Sequence, residues 1–125
     1  MGFAFCRFRE ETGCSETGSR EYHAFLSNMN IFLDVPEMWK HYMTRHLVQP
    51  TKREKEVVMS ADPNYVKRAF WENGPPKDME KIQILYVEKA SGGYTHPIGD
   101  KVDTEFAEKL EIILSKVKPN QTKGL

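Results

Sequence analysis

The chain has 125 residues, 39% hydrophobic and 29% charged, which suits one globular domain and excludes a disordered or disulfide-stapled one. Its 18 basic and 18 acidic residues cancel, so no net basic charge is available for coating phosphates or an anionic membrane surface. No apolar run approaches the roughly 18 residues of a membrane span, and the opening MGFAFCRFR lacks the shape of a signal peptide. The expected location is the cytoplasm, where both cysteines are reduced.

Residues 3–8, with Phe3, Phe5 and Phe8, are predicted to form an aromatic N-terminal strand, followed by a polar loop over 10–19 that contains Gly13 and Gly18. Tyr22, Phe25, Leu26 and Met29 recur at helical spacing and predict a first helix from Ser19 to about residue 32. Asp34 and Pro36 restart a helix whose inner stripe is Met38, Trp39, Tyr42, Met43 and Leu47, stopped by Pro50. Thr51-Lys52-Arg53-Glu54 is a capping box that opens a third helix carrying Val57, Val58 and Ala61 inward. Asp62-Pro63 signals a fourth, with Val66, Ala69 and Phe70 on one face, ending at Asn73-Gly74-Pro75-Pro76.

Residues 82–87, Ile-Gln-Ile-Leu-Tyr-Val, predict the best strand, pairing with the N-terminal one and followed by a glycine turn and a short partner strand over 94–98. The last helix is announced by Val102, Phe106, Leu110, Ile113 and Val117, with Glu105 and Lys109 as a surface pair. The expected class is therefore α+β and mainly helical: about five helices beside a small sheet built from an N-terminal strand and a C-terminal strand or hairpin. One compact domain is expected over 1–118 with a flexible tail over 119–125.

Three constellations carry chemistry. Helix, short turn, helix over 51–70, then a strand and a glycine turn, resembles the winged-helix family in the order of its elements. That resemblance implies nucleic-acid binding through Asn64 and Tyr65 near the recognition-helix entry and through Lys67 and Arg68 toward phosphates or bases. The zero net charge and the absence of a glycine in the turn count against it. Cys6, Cys14 and His23 are candidate metal ligands, with zinc the cation that thiolate and imidazole suit. His41 and His46, five residues apart, fall about 140° apart on an ideal helix and are not expected to share a face. They flank the aromatic–methionine stripe as candidate haem ligands at most. His96 and Asp100, in a glycine-flanked loop, are a candidate acid–base pair without a nucleophile or oxyanion donors. The bland counterpart is a polar turn in which Asp100 or Asp103 caps the last helix. Elimination leaves a non-enzymatic binding or regulatory module, with a protein or a second copy of the chain as partner. A winged-helix-like nucleic-acid-binding protein and a small Cys/His metal-binding protein are the alternatives.

Overall fold

The structure is a computed structural model that describes residues 4–69 and 76–117. In chain order it runs β1 (Ala4–Phe5), α1 (Arg9–Thr12), β2 (Thr17–Gly18), β3 (Glu21–Leu26), β4 (Ile31–Pro36), α2 (Trp39–Arg45) and α3 (Lys52–Ser60). A 3₁₀ turn (Pro63–Tyr65) follows, then β5 (Val66–Arg68), β6 (Glu80–Gln83), β7 (Lys89–Ala90), β8 (Gly93–Tyr94) and α4 (Thr104–Ser115). The class is mixed α and β rather than mainly helical: a four-stranded sheet in the order β5-β3-β4-β6 is the frame, and three of the helices among the described residues reach seven residues or more.

The first expected helix is instead the β3–β4 hairpin. Tyr22, Ala24 and Leu26 alternate inward and pair with Val35, Leu33 and Ile31, so a period of two governs this stretch although a helical spacing also fits its apolar residues. Asn30, at φ 57°, closes the connection in a left-handed conformation that asparagine tolerates. The opposite face of the hairpin carries Glu21, His23, Phe25, Phe32 and Asp34. The fourth expected helix is also absent among the described residues. Asp62 caps only a 3₁₀ turn, accepting from the Asn64 amide at 3.0 Å, after which Val66 to Arg68 pair with the free edge of β3. The helix-turn-helix therefore has no second helix over 63–68, and the expected end of that helix beyond Ala69 lies outside the described residues.

The N-terminal strand does not join the C-terminal one. Ala4 and Phe5 pair with Gly18 and Thr17 in a separate two-stranded sheet, whereas β6 lies parallel to β4 at the edge of the main sheet. Gly18 is required there, because a Cβ on it would lie 2.7 Å from Met38 Cγ. The expected pairing of 82–87 with 94–98 does not form: the glycine turn closes only the short β7–β8 hairpin, Lys89 with Tyr94 and Ala90 with Gly93, and Ile98 makes a single bridge to Val48.

Helices α2, α3 and α4 share one buried core with the inner face of the sheet. Their predicted stripes are buried: Trp39, Tyr42 and Met43 on α2, Val57 and Val58 on α3, and Phe106, Leu110 and Ile113 on α4. Asp103 caps α4 by accepting from the Phe106 amide at 3.2 Å. Lys109 donates to the Met59 carbonyl at 3.0 Å, tying α4 to α3. No helix among the described residues is long and apolar enough to cross a membrane.

Candidate metal centre

The N-terminal segment, residues 4–18, buries little of its own. Helix α1 has no buried residue, and β1 and β2 are two residues each, too short to stand alone. Among the contacts that attach it to the domain is a cluster of four side chains. After β1 the chain turns so that the Arg9 amide donates to the Cys6 carbonyl at 3.1 Å and the Phe8 amide donates to Cys6 Sγ at 3.4 Å. Four residues of α1 follow, and Gly13 ends them at φ 71° with its amide on the Arg9 carbonyl. That left-handed glycine turns the chain back, so Cys14 returns beside Cys6.

Facing them is the other half of the cluster. His41 lies on α2, and His46 is the residue that caps its end, at φ −112°. His46 keeps its amide on the Tyr42 carbonyl at 3.2 Å, and its ring and that of His41 have centroids 4.9 Å apart at 82°. Cys6 Sγ is 3.3 Å from His46 Nε2, and Cys14 Sγ is 3.4 Å from His41 Nε2. One ligand atom from each of the four residues lies within 4.8 Å of the others. A tetrahedral Zn²⁺ bonded to sulfur at about 2.3 Å and nitrogen at about 2.0 Å spaces its donors about 3.3–3.8 Å apart, so the four are placed close to coordination distances.

The surroundings suit a closed metal centre. Phe8 stacks on His46 at 4.4 Å and 14°, and Tyr94 closes over Phe8 at 4.4 Å. The Tyr42 hydroxyl accepts from the Arg7 amide at 3.2 Å, and the Tyr94 hydroxyl donates to the Arg7 carbonyl at 3.0 Å, fixing the turn that presents Cys6. Burial pushes the Cys6 thiol up from its ordinary value, against the opposing pull of the Phe8 amide. Burial also lowers both His41 and His46, which favours the neutral rings whose lone pairs a metal would need. A bound cation would deprotonate the thiols, and the Phe8 amide would then serve as a hydrogen bond to a thiolate ligand.

The remaining sequence candidates fall elsewhere. His23 sits on β3, its Nε2 3.4 Å from Glu21 Oε1 and 3.3 Å from Asp34 Oδ1. Asn64 and Tyr65 are on the 3₁₀ turn, and Lys67 and Arg68 are exposed on β5. His96 is buried and bonds through Nε2 to Glu54 Oε2 at 2.8 Å, and its other nitrogen lies 3.3 Å from Thr95 Oγ1. The His96 partner is thus on α3, not Asp100. The same Glu54 completes the capping box and accepts from the Leu85 amide at 3.2 Å, which holds Leu85 at φ 56° where β6 ends.

Sequence reasoning set aside two of the four cluster residues. The available signal was His41-x₄-His46, within the three to five intervening residues typical of zinc-finger histidines. No protein-family model, curated protein or solved structure matches this chain.

Proposed function

We propose that this chain is a zinc-stabilised binding module in which Cys6, Cys14, His41 and His46 hold one structural Zn²⁺. The observation that carries this reading is the convergence of two thiols and two imidazoles, from segments about thirty residues apart, to within 4.8 Å. Four protein donors complete a tetrahedron and leave no position for water or substrate, which marks a structural site rather than a catalytic one. The ion clamps the N-terminal segment onto α2. Structural zinc sites contribute on the order of 10–16 kcal/mol of binding free energy, far more than the apolar burial of Cys6 and Phe8 supplies. A folded N-terminal segment fixed in this way presents a rigid surface to a partner, in keeping with the module expected from the sequence.

The test is metal content of protein purified without chelator, followed by cobalt substitution. One tightly held zinc per chain, retained through dialysis against metal-free buffer, is expected. Co²⁺ replacement should give thiolate-to-cobalt charge-transfer absorption that Cys14→Ser weakens and His46→Ala alters. Metal-free protein with both thiols reduced and residues 4–18 fully protected from hydrogen exchange would overturn the reading. So would recovery of the native chain with Cys6 and Cys14 joined as a disulfide.

A further inference from the structure

The outer face of the β3–β4 hairpin carries a second constellation. His23 and Asp34 are cross-strand partners, and Glu21 stands two residues before His23 on the same face. The sheet register alone therefore aims an imidazole and two carboxylates at one point. Each offers a ligand atom within 4.8 Å of the others, and the distances from His23 Nε2 to the two carboxylates, 3.4 and 3.3 Å, match the edge of a coordination polyhedron with bonds near about 2.1 Å. Asp34 is buried, whereas Glu21 and His23 are roughly half exposed, so the cluster has a fixed inner wall and an open outer side. The Tyr86 hydroxyl donates to Asp34 Oδ1 at 3.2 Å, a second-layer bond that orients a carboxylate in the way metal sites use. The open side meets a cavity of about 460 Å³ lined by Glu21, His23, Tyr86, Glu37, Arg7 and Arg20, among others.

We propose that Glu21, His23 and Asp34 form a second, open divalent-cation site whose exchangeable positions face this cavity. Mixed carboxylate and imidazole donors suit Mn²⁺, Fe²⁺ or Zn²⁺ better than Ca²⁺, which takes six or more oxygens. Three protein ligands leave positions for water or for a small molecule in the cavity, unlike the closed Cys₂His₂ set. Beyond the ligand Glu21 the charged wall is balanced, Glu37 and Glu88 against Arg7 and Arg20, so the preference for a cation comes from the ligands themselves. The site shares no residue with the Cys₂His₂ set and stands or falls independently of it.

The experiment is Mn²⁺ titration of full-length protein dialysed exhaustively against metal-free buffer, so that the open site is empty at the start, read by the loss of the free-ion electron paramagnetic resonance signal. Saturation at one Mn²⁺ per chain is expected. Asp34→Asn and His23→Ala should each weaken binding at least about tenfold, and Tyr86→Phe should do so by about tenfold or less. Because His23 is half exposed, His23→Ala keeps the test meaningful should Asp34→Asn perturb folding, which circular dichroism monitors. The cobalt charge-transfer band should be insensitive to His23→Ala, so that failure of this site is seen separately from failure of the Cys₂His₂ set. Absence of binding up to millimolar Mn²⁺, or equal binding by wild type and His23→Ala, would overturn the proposal.

Discussion

Glu54 shows how much one buried carboxylate does in a small domain. It closes the capping box of α3, satisfies the amide of the left-handed Leu85 and pairs with the buried His96. Removing it leaves the Leu85 amide and the imidazole without an acceptor, so Glu54→Ala should cost about 3 kcal/mol in urea unfolding. Glu54→Gln, which keeps an acceptor oxygen, should cost less; equal losses would show that charge alone matters at this position. Half of this arrangement was legible in advance, because Thr51-x-x-Glu54 announces the cap by local spacing. The other half was not, because His96 meets Glu54 across 42 residues and no local pattern records that contact. The Cys₂His₂ cluster divides in the same way. Cys6 and Cys14 stood out by residue type, but His41 and His46 were discounted on the roughly 140° between Cα positions of an ideal helix, which does not bound how near two ring ends can come: their centroids lie 4.9 Å apart. His23 was grouped with the cysteines by chemistry, and the sheet register pairs it with Asp34.

At the scale of elements, α3 and α4 were readable because capping residue, apolar stripe and stop signal agree. The cap on α4 gives a quantitative expectation. Burial opposes ionisation of Asp103, but the Lys55 ammonium at 2.9 Å and the Phe106 amide outweigh it and hold this carboxyl below its ordinary value. A depressed carboxyl contributes stability that is complete above its unfolded value near 3.8 and lost as the pH falls through the lower folded value. Asp103→Ala should therefore cost about 1 kcal/mol near neutral pH, and the deficit relative to wild type should shrink as the pH falls below 4. Thermal unfolding from pH 7 to pH 3 measures both; a deficit independent of pH would assign the effect to packing. The β3–β4 hairpin was misread for an equally physical reason. Its six-residue strands are short enough that Tyr22, Phe25, Leu26 and Met29 satisfy a helical spacing by coincidence. The decisive alternation involves Ala24, a small residue that contributes little to an apolar pattern yet is fully buried beneath the helices. The strand predicted over 82–87 was sound only at its start, since Leu85 turns the chain away from the sheet.

The whole molecule is a main body, formed by the four-stranded sheet and its helices, with an N-terminal segment attached through the Cys6, Cys14, His41 and His46 cluster, the Phe8 stack on His46 and Tyr94, the Arg7 backbone bonds to Tyr42 and Tyr94, and the Glu11–Lys89 ion pair. Chelation should therefore act unevenly. Hydrogen exchange is expected to accelerate over 4–18 and at the C-terminal end of α2, while amides of β3 and β4 stay protected; uniform loss of protection would mean that the ion supports the entire fold.

The parallel pairing of β6 with β4 also governs how the body is assembled. Ile31 and Glu80 are register partners roughly fifty residues apart, and closing a loop of that length costs about 3.5 kcal/mol of chain entropy. The β3–β4 hairpin can form from neighbouring residues alone, so β6 arrives after it, and until it does β4 offers an unpaired backbone edge beside Ile31 and Leu33. Refolding yield should accordingly fall as protein concentration rises, because a second chain competes for the edge that this chain's own distant strand is slow to reach.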